Sequence, residues 1–273
     1  MRLTKSARCI LFLTLGCALP LVASPQQVAD PEFKPSIDTP THSGANRPVV
    51  VLDEAHQNFH TAGGRYKPFA DLLAADGYIV VAGKQPFSAE SLLLIADHSP
   101  YGATAARLSA RFGVEMGTGY AWQTTTGTPP TTTIVHTRES SGLGRNHPIT
   151  QGINRVAAFT GQSLSVPPGA TALLQFGQSS YESAGNEVQA DMAAFQSGKP
   201  HKARSIAGRA QGVALDYGKG RVVIMGEAAM FSAQVARFTE PNGRVNETKM
   251  GMNVAGNDNR QFLVNIMKWL TRA

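Results

Sequence analysis

The stretch DEAHQNFH, residues 53–60, packs two carboxylates, two imidazoles and two carboxamides into one short segment. Such a set could move protons, ligate a metal ion or hydrogen-bond a polar ligand. Glu54 and His56 alternate along extended backbone, so both could enter one cleft, although a surface loop has the same spacing. Asp53 directly follows an apolar run, where it either caps the next turn or lines a site. Asn58 adds a neutral donor and acceptor. Two further places put acid or imidazole directly after an apolar run: Asp97 and His98 after LLLIA, and Glu227 after VVIMG. Small residues follow Glu227, which lets backbone approach a ligand, and its plainer role is a carboxylate at a helix N-terminus. Asn257 and Asn259, with Asn253 and Asp258, precede the last apolar stripe. They serve as turn and capping residues, or as amides for sugar hydroxyls if their loop reaches the same edge. The candidate ligand-binding or acid–base residues are therefore Asp53, Glu54, His56, Asn58, His98, Glu227, Asn257 and Asn259.

Several sharper chemistries are excluded by spacing. HQNFH has the two histidines of the zinc-protease signature HExxH, but Gln57 stands where the catalytic glutamate belongs, and the segment has no helical apolar pattern. No metal site is assigned. The nucleophile elbow G-x-S-x-G is absent; in GQSLS, Ser165 replaces the last glycine. GLGRNH and AGGRYK lack the spacing of a phosphate loop. Cys9 and Cys17 are the only cysteines, and both lie in an N-terminal leader. Removing that leader removes any thiolate nucleophile, thiolate zinc site or iron–sulfur cluster.

These groups need elements to carry them. PVVVLD (48–53) is a β-branched run of the kind buried on both faces of a sheet. RYKPFADLLAADG has Phe69, Leu72 and Leu73 at helical spacing and Gly77 as a stop, and YIVVA (78–82) is a second strand. Strand, helix and strand in this order make a βαβ unit and predict a parallel sheet. LLLIAD (92–97) and ALLQFG (172–177) read as strands, and residues 103–112 and 187–195 as helices. The threonine-rich stretch 124–135 reads as an inserted loop or an edge hairpin. GVALDYGKGRVVIMGE (212–227) is a β-hairpin turning at Gly218-Lys219-Gly220. Phe262, Leu263, Ile266, Met267 and Leu270 stripe a terminal helix, with Asp258 and Gln261 resembling a capping box. In open α/β sheets ligands bind beyond the carboxyl ends of the strands, which is where the candidate residues fall.

The chain of 273 residues is 42% hydrophobic and 16% charged, which excludes a disordered tail, a coiled coil and a collagen-like fibre. Arg2, Lys5 and Arg8 supply half of the formal charge of +6. The rest leaves no electrostatic footprint for nucleic acid. These basic residues precede the apolar segment from Cys9 to Ala23, the build of a cleavable secretory signal peptide over residues 1–23. A lipoprotein anchor at Cys17 is the weaker alternative, since Thr14 stands where an aliphatic residue is expected. Residues 24–47 are expected to be an extended linker, and 48–273 a single α/β domain, periplasmic or secreted, with no transmembrane helix in the mature chain.

The segments VVVLDEAHQNFHTAGGRYKPFADLLAADGYIVV, HPITQGINRVAAFTGQSL, GKGRVVIMGEAAMFSAQ and GNDNRQFLVNIMKWL together resemble a group of exported bacterial proteins. That group is an uncharacterised domain family with a class I glutamine-amidotransferase-like fold. It is similar to ThuA-like proteins and to a domain of gliding-motility and intraflagellar-transport components. The likeness spans most of Pro48 to Leu270, with DEAH, His147-Pro148-Ile149, GEAAMF and DNRQF as markers. It implies a flavodoxin-like, mostly parallel sheet flanked by helices, with the hairpin near its C-terminal side, and it transfers no activity. Class I amidotransferases attack glutamine with a cysteine, and none remains here, so that reaction is excluded. For related cysteine-free domains carbohydrate binding is the suggested role.

The expectation is an exported ligand-binding or scaffold domain for a carbohydrate, a cell-envelope glycan or another small polar ligand. One alternative is a hydrolase using Glu54, His56 and Glu227 as an acid–base or metal site. Another is a structural partner of an envelope protein. No cofactor is assigned, and whether the chain is an enzyme stays open at this point.

Overall fold

The computed structural model describes residues 26–56, 58–85, 90–140, 142–239 and 243–273. The expected signal peptide and the Cys17 anchor lie outside the described residues. In chain order the first elements are β1 (Gln26–Ala29), β2 (Val49–Asp53), α1 (Lys67–Ala75), β3 (Ile79–Gly83), β4 (Ser91–Ile95) and α2 (Ala103–Ala110). The middle holds β5 (Tyr120–Thr125), β6 (Thr128–Thr131), β7 (Thr133–Thr137), β8 (Arg155–Phe159), β9 (Thr171–Gln175), β10 (Ser180–Ser183) and α3 (Val188–Gln196). The last third holds β11 (Arg204–Ser205), β12 (Ala210–Tyr217), β13 (Gly220–Met225), β14 (Ala233–Thr239), β15 (Val245–Gly251) and α4 (Asn259–Thr271). Two 3-10 turns, Pro148–Thr150 and Ala229–Phe231, complete the set.

The expected flavodoxin-like, mostly parallel sheet flanked by helices is not what forms. Among the described residues the strands group into five sheets: β1-β14-β15, β11-β10-β5-β6, β4-β13-β12-β9, β2-β3 and β7-β8. Only β2–β3 is wholly parallel, and β4–β13 is a parallel pair inside a mixed sheet. The other pairings are antiparallel. The reason lies in the connections. A parallel pair needs a long crossover, and α1 provides one between β2 and β3, whereas tight turns join β5 to β6 and β12 to β13. The result is a mostly β protein with four helices among the described residues.

The β-branched runs are also buried on one face only. Val50, Leu52 and Val80 pack on the main core, while Val49, Val51, Ile79 and Val81 stay exposed on the opposite face. That pattern follows from the period of two along a strand combined with cover from one side.

Other local signals do form structure. β12 and β13 pair antiparallel from Gly212↔Met225 to Tyr217↔Gly220, turning at Gly218, whose φ of +57° suits glycine. The threonine-rich stretch becomes an edge hairpin, with β6 at the sheet border, where Pro129 and Pro130 need no ladder partner. α4 buries Phe262, Leu263, Ile266, Met267 and Leu270 as the stripe requires. Its expected capping box is replaced: the Asp258 carboxylate accepts from the Asn154 and Arg155 amides at 2.8 and 3.0 Å, pinning the start of β8 instead of its own helix.

The segment expected to be an extended linker contains β1, which pairs with β14 from Gln26↔Arg237 to Ala29↔Gln234. Further along, Thr41 binds the Asp76 carboxylate through its amide and hydroxyl, and Arg47 reaches the Gly77 and Tyr78 carbonyls. Among the described residues no helix is long and apolar enough to cross a membrane.

Candidate functional site

The loop after β2 uses its polar groups on itself. Asp53 accepts from the Ala55 amide at 3.0 Å and meets His56 Nδ1 at 2.8 Å, while Asn58 Nδ2 donates back to the Asp53 carbonyl. These bonds outweigh burial and hold the Asp53 carboxyl below its usual value. Glu54 accepts from the Ala62 amide at 2.9 Å, bridging the loop. His56 stands 63% exposed, with no contact to Glu227. The loop is thus a self-capped turn. His56→Ala is expected to change stability by less than about 0.5 kcal/mol in a urea titration, as for most exposed side chains.

Groups from distant segments meet one step further on. Glu227 follows β13 and is 1% exposed. Its carboxylate accepts from the Ala229 amide at 2.7 Å and the Met230 amide at 2.8 Å, which caps the 3-10 turn over Ala229–Phe231. The Phe159 amide, at the end of β8, approaches as well and adds a smaller electrostatic pull on the carboxyl. That approach depends on the bend after β8. Thr160 takes φ of +114°, a costly conformation for a β-branched residue, with its carbonyl held by Gln211 Nε2 at 2.7 Å. At Gly161 a Cβ would fall 2.5 Å from the Gly226 carbonyl and 2.7 Å from Glu227 Cβ, so only glycine fits.

Burial and the nearby Asp97 charge raise Glu227 from 4.5 to about 8, against the pull of its three amides. Asp97, just beyond β4, is raised as well by its own burial, opposed by the His98 charge, the His98 amide and Arg65. The Tyr66 hydroxyl donates to the Ala228 carbonyl at 2.8 Å, tying the β2–α1 loop to the Glu227 turn. His60 stands edge-on to Tyr66, with ring centroids 4.6 Å apart, and burial plus the Arg65 charge lower it to about 4. It is a neutral imidazole at physiological pH, and neither ring nitrogen has a protein partner among the described residues.

Over this buried knot lies an aromatic rim. Phe59 and Tyr101 stack with centroids 5.7 Å apart and planes at 24°, yet stay 56% and 55% exposed. The Arg65 guanidinium sits 4.1 Å from the Phe59 centroid. His98 stacks on Tyr120 at 4.1 Å and meets Tyr101 edge-on at 5.6 Å. The loop after β2, the loop after β4 and the start of β5 therefore share one rim at the carboxyl ends of β2 and β4. Two surface clefts lie elsewhere, one of about 310 Å³ beside Trp269 and one of about 390 Å³ beside Asp30; the rim itself is a ledge of half-exposed aromatics.

Of the sequence candidates, Glu227 and His98 belong to this convergence. Asp53, Glu54, His56 and Asn58 form the adjoining turn. Asn257 binds the Gly251 and Val254 carbonyls, and Asn259 binds both backbone groups of Ala157 and the Met230 carbonyl. Both are consumed by the fold and leave nothing for a ligand. Trp122 is fully buried, with Nε1 on Ser183 Oγ, and plugs the core against Tyr181. His60 is marked as the second imidazole of DEAHQNFH, whereas Phe59, Arg65, Tyr66 and Tyr101 carry the rim without a sequence signal, since loop aromatics have no periodicity to mark them. Among the described residues, no three His, Cys, Asp or Glu side chains are placed to hold a metal ion.

No protein-family model and no curated protein matches the chain. Solved structures do. The one described as mmIFT52 N-terminal domain aligns over 82% of this chain and 98% of its own, with a TM-score of 0.53 and 11% identity. At that identity the likeness is one of fold alone.

Proposed function

We propose that the protein is an exported ligand-binding domain that holds a glycan on the ledge formed by Phe59, Tyr101, Arg65 and His60. The observation that carries this reading is the stacked, half-exposed Phe59–Tyr101 pair beside the Arg65 guanidinium and the neutral His60 ring. A sugar ring offers apolar C–H faces and hydroxyl edges, which need an aromatic surface flanked by neutral donors and acceptors. Export is supported by the basic leader and its apolar segment.

Binding without turnover fits the carboxyls better than hydrolysis does. Glu227 is held by two amides, Glu54 is held on Ala62, and His56 is turned to Asp53, so this trio shares no reacting point.

The test is a thermal-shift and calorimetric screen of neutral and acidic oligosaccharides on the intact protein and on the Phe59→Ala/Tyr101→Ala double variant. At least one sugar should raise Tm in a concentration-dependent way. The double variant should bind it at least about 10-fold more weakly, since aromatic stacking supplies on the order of 1.4 kcal/mol or more. Absence of any binding, or equal binding by the double variant, overturns the reading.

A further inference from the structure

Arg65 is held in a way that its fold role does not explain. Its Nε donates to the Gln27 carbonyl at 3.1 Å and its Nη1 to Gln27 Oε1 at 3.0 Å, so β1 fixes the plane of the guanidinium. Its own carbonyl accepts from Ser232 Oγ. The remaining amino group, Nη2, has no hydrogen-bond partner among the described residues. No carboxylate reaches ion-pairing distance of the guanidinium among them either. The side chain is partly buried, and burial pulls its pKa down despite the charges of Asp97 and Tyr101. A desolvated cation is normally paired. Here it is instead oriented by a neutral side chain and set beside an aromatic ledge.

The neighbouring groups sharpen this. His60 stays neutral, so it offers a hydroxyl one donor and one acceptor and brings no charge of its own. Asp97, the carboxylate whose charge acts on Arg65, is itself disfavoured as an anion by burial. A ligand carboxylate could therefore pair with Nη2 without displacing a resident anion.

We propose, resting on the glycan reading above, that the ledge selects carboxylated sugars over neutral ones, with Arg65 as the carboxylate-binding residue and His60 reading an adjacent hydroxyl. Gln27 is the positioning residue that aims the guanidinium. The N-terminal strand thereby becomes part of the specificity of a site that it does not line.

The probes are cello-oligosaccharides and their C6-oxidised uronate counterparts of the same length, which share ring and linkage and differ by the carboxylate. Calorimetry on the full chain at low salt should give the uronate a Kd at least about 10-fold below that of the neutral oligomer, with the gap closing as salt rises. Arg65→Gln should abolish the preference, read as the ratio of the two Kd values, even where it weakens both oligomers through the lost contact with Phe59. Gln27→Ala keeps the charge and the Nε bond to the backbone carbonyl but removes the Nη1 partner, so it loosens the aim of the guanidinium without deleting it. It should narrow the preference, and Gln27→Asn, which keeps a shorter amide, should restore part of it. Equal Kd values for the two oligomers in the unmodified protein would sink the selectivity while sparing the glycan reading. A preference that survives Arg65→Gln would sink the assignment of the residue. If neither oligomer binds, nor any other sugar, both readings fall together.

Discussion

Glu227→Ala is expected to destabilise the fold by roughly 3–5 kcal/mol, because it leaves two buried amide donors unsatisfied and opens a void beneath the ledge. The donors come from Ala229 and Met230, so the loss falls on the turn after β13. Tyr66 reports on the same turn through its bond to the Ala228 carbonyl. Urea denaturation gives the free-energy loss, and the near-ultraviolet signal of the rim aromatics should broaden with it. A change below about 1 kcal/mol would mean that water replaces the carboxylate at no loss.

The same residue makes a pH prediction of definite sign. In the unfolded chain its carboxyl ionises near 4.5, and in the folded protein near 8. Between those values the native state keeps a proton that the unfolded state has released, so stability falls as pH rises through this window. The slope is at most about 1.4 kcal/mol per pH unit. Asp97 is displaced the same way and adds to the fall. Glu227→Gln lowers stability at every pH, because its amino group faces an amide donor, but it cannot titrate and should flatten the slope between pH 5 and 8. Two forces compete here: desolvation with Asp97 repulsion favours the neutral acid, and three amides favour the carboxylate. Unmodified protein that is as stable at pH 8 as at pH 5 would show that the amides win.

The parts of this fold that were legible are those with an apolar period. The β12–β13 hairpin, β4 and the stripe on α4 follow from alternation or helical spacing. Which strands pair, and in which direction, does not. VVVLD and YIVVA look like the centre of a parallel sheet, yet their second face is bare because nothing in a β-branched run says how many layers cover it. The sheet β11-β10-β5-β6 is illegible for the opposite reason: SYES and RS carry almost no apolar signal, and polar groups hold them together. In the site, Glu227 was marked by its place after a buried strand. The strained bend at Thr160, which brings the end of β8 toward it, was not. Arg65 sits in AGGRYK, where the only sequence question was a phosphate loop, and its partner Gln27 lies in a stretch read as linker.

That polar sheet makes the second large prediction. Glu182, on β10, is 2% exposed, and its Oε2 accepts from Arg204 Nη2 at 2.5 Å and Nε at 3.1 Å and from Ser163 Oγ at 2.9 Å. Its Oε1 accepts from the Gly119 and Ser163 amides, both at 3.2 Å. One carboxylate therefore joins β10, the entry to β5, the segment leading to β9, and β11. Ser163 Oγ in turn accepts from Arg209 Nε at 2.8 Å. Glu182→Ala removes an anion from between two arginines and leaves buried donors unpaired, which should lower stability by roughly 3–5 kcal/mol. Arg204→Ala should lower it by less, about 1–2 kcal/mol, since Arg204 is 54% exposed and Ser163 with two amides still holds the carboxylate. The order of the two variants is the decisive measurement. If Arg204→Ala is the more damaging, the exposed cation rather than the amide cradle holds Glu182 in place, and β10 is secured from its solvent side.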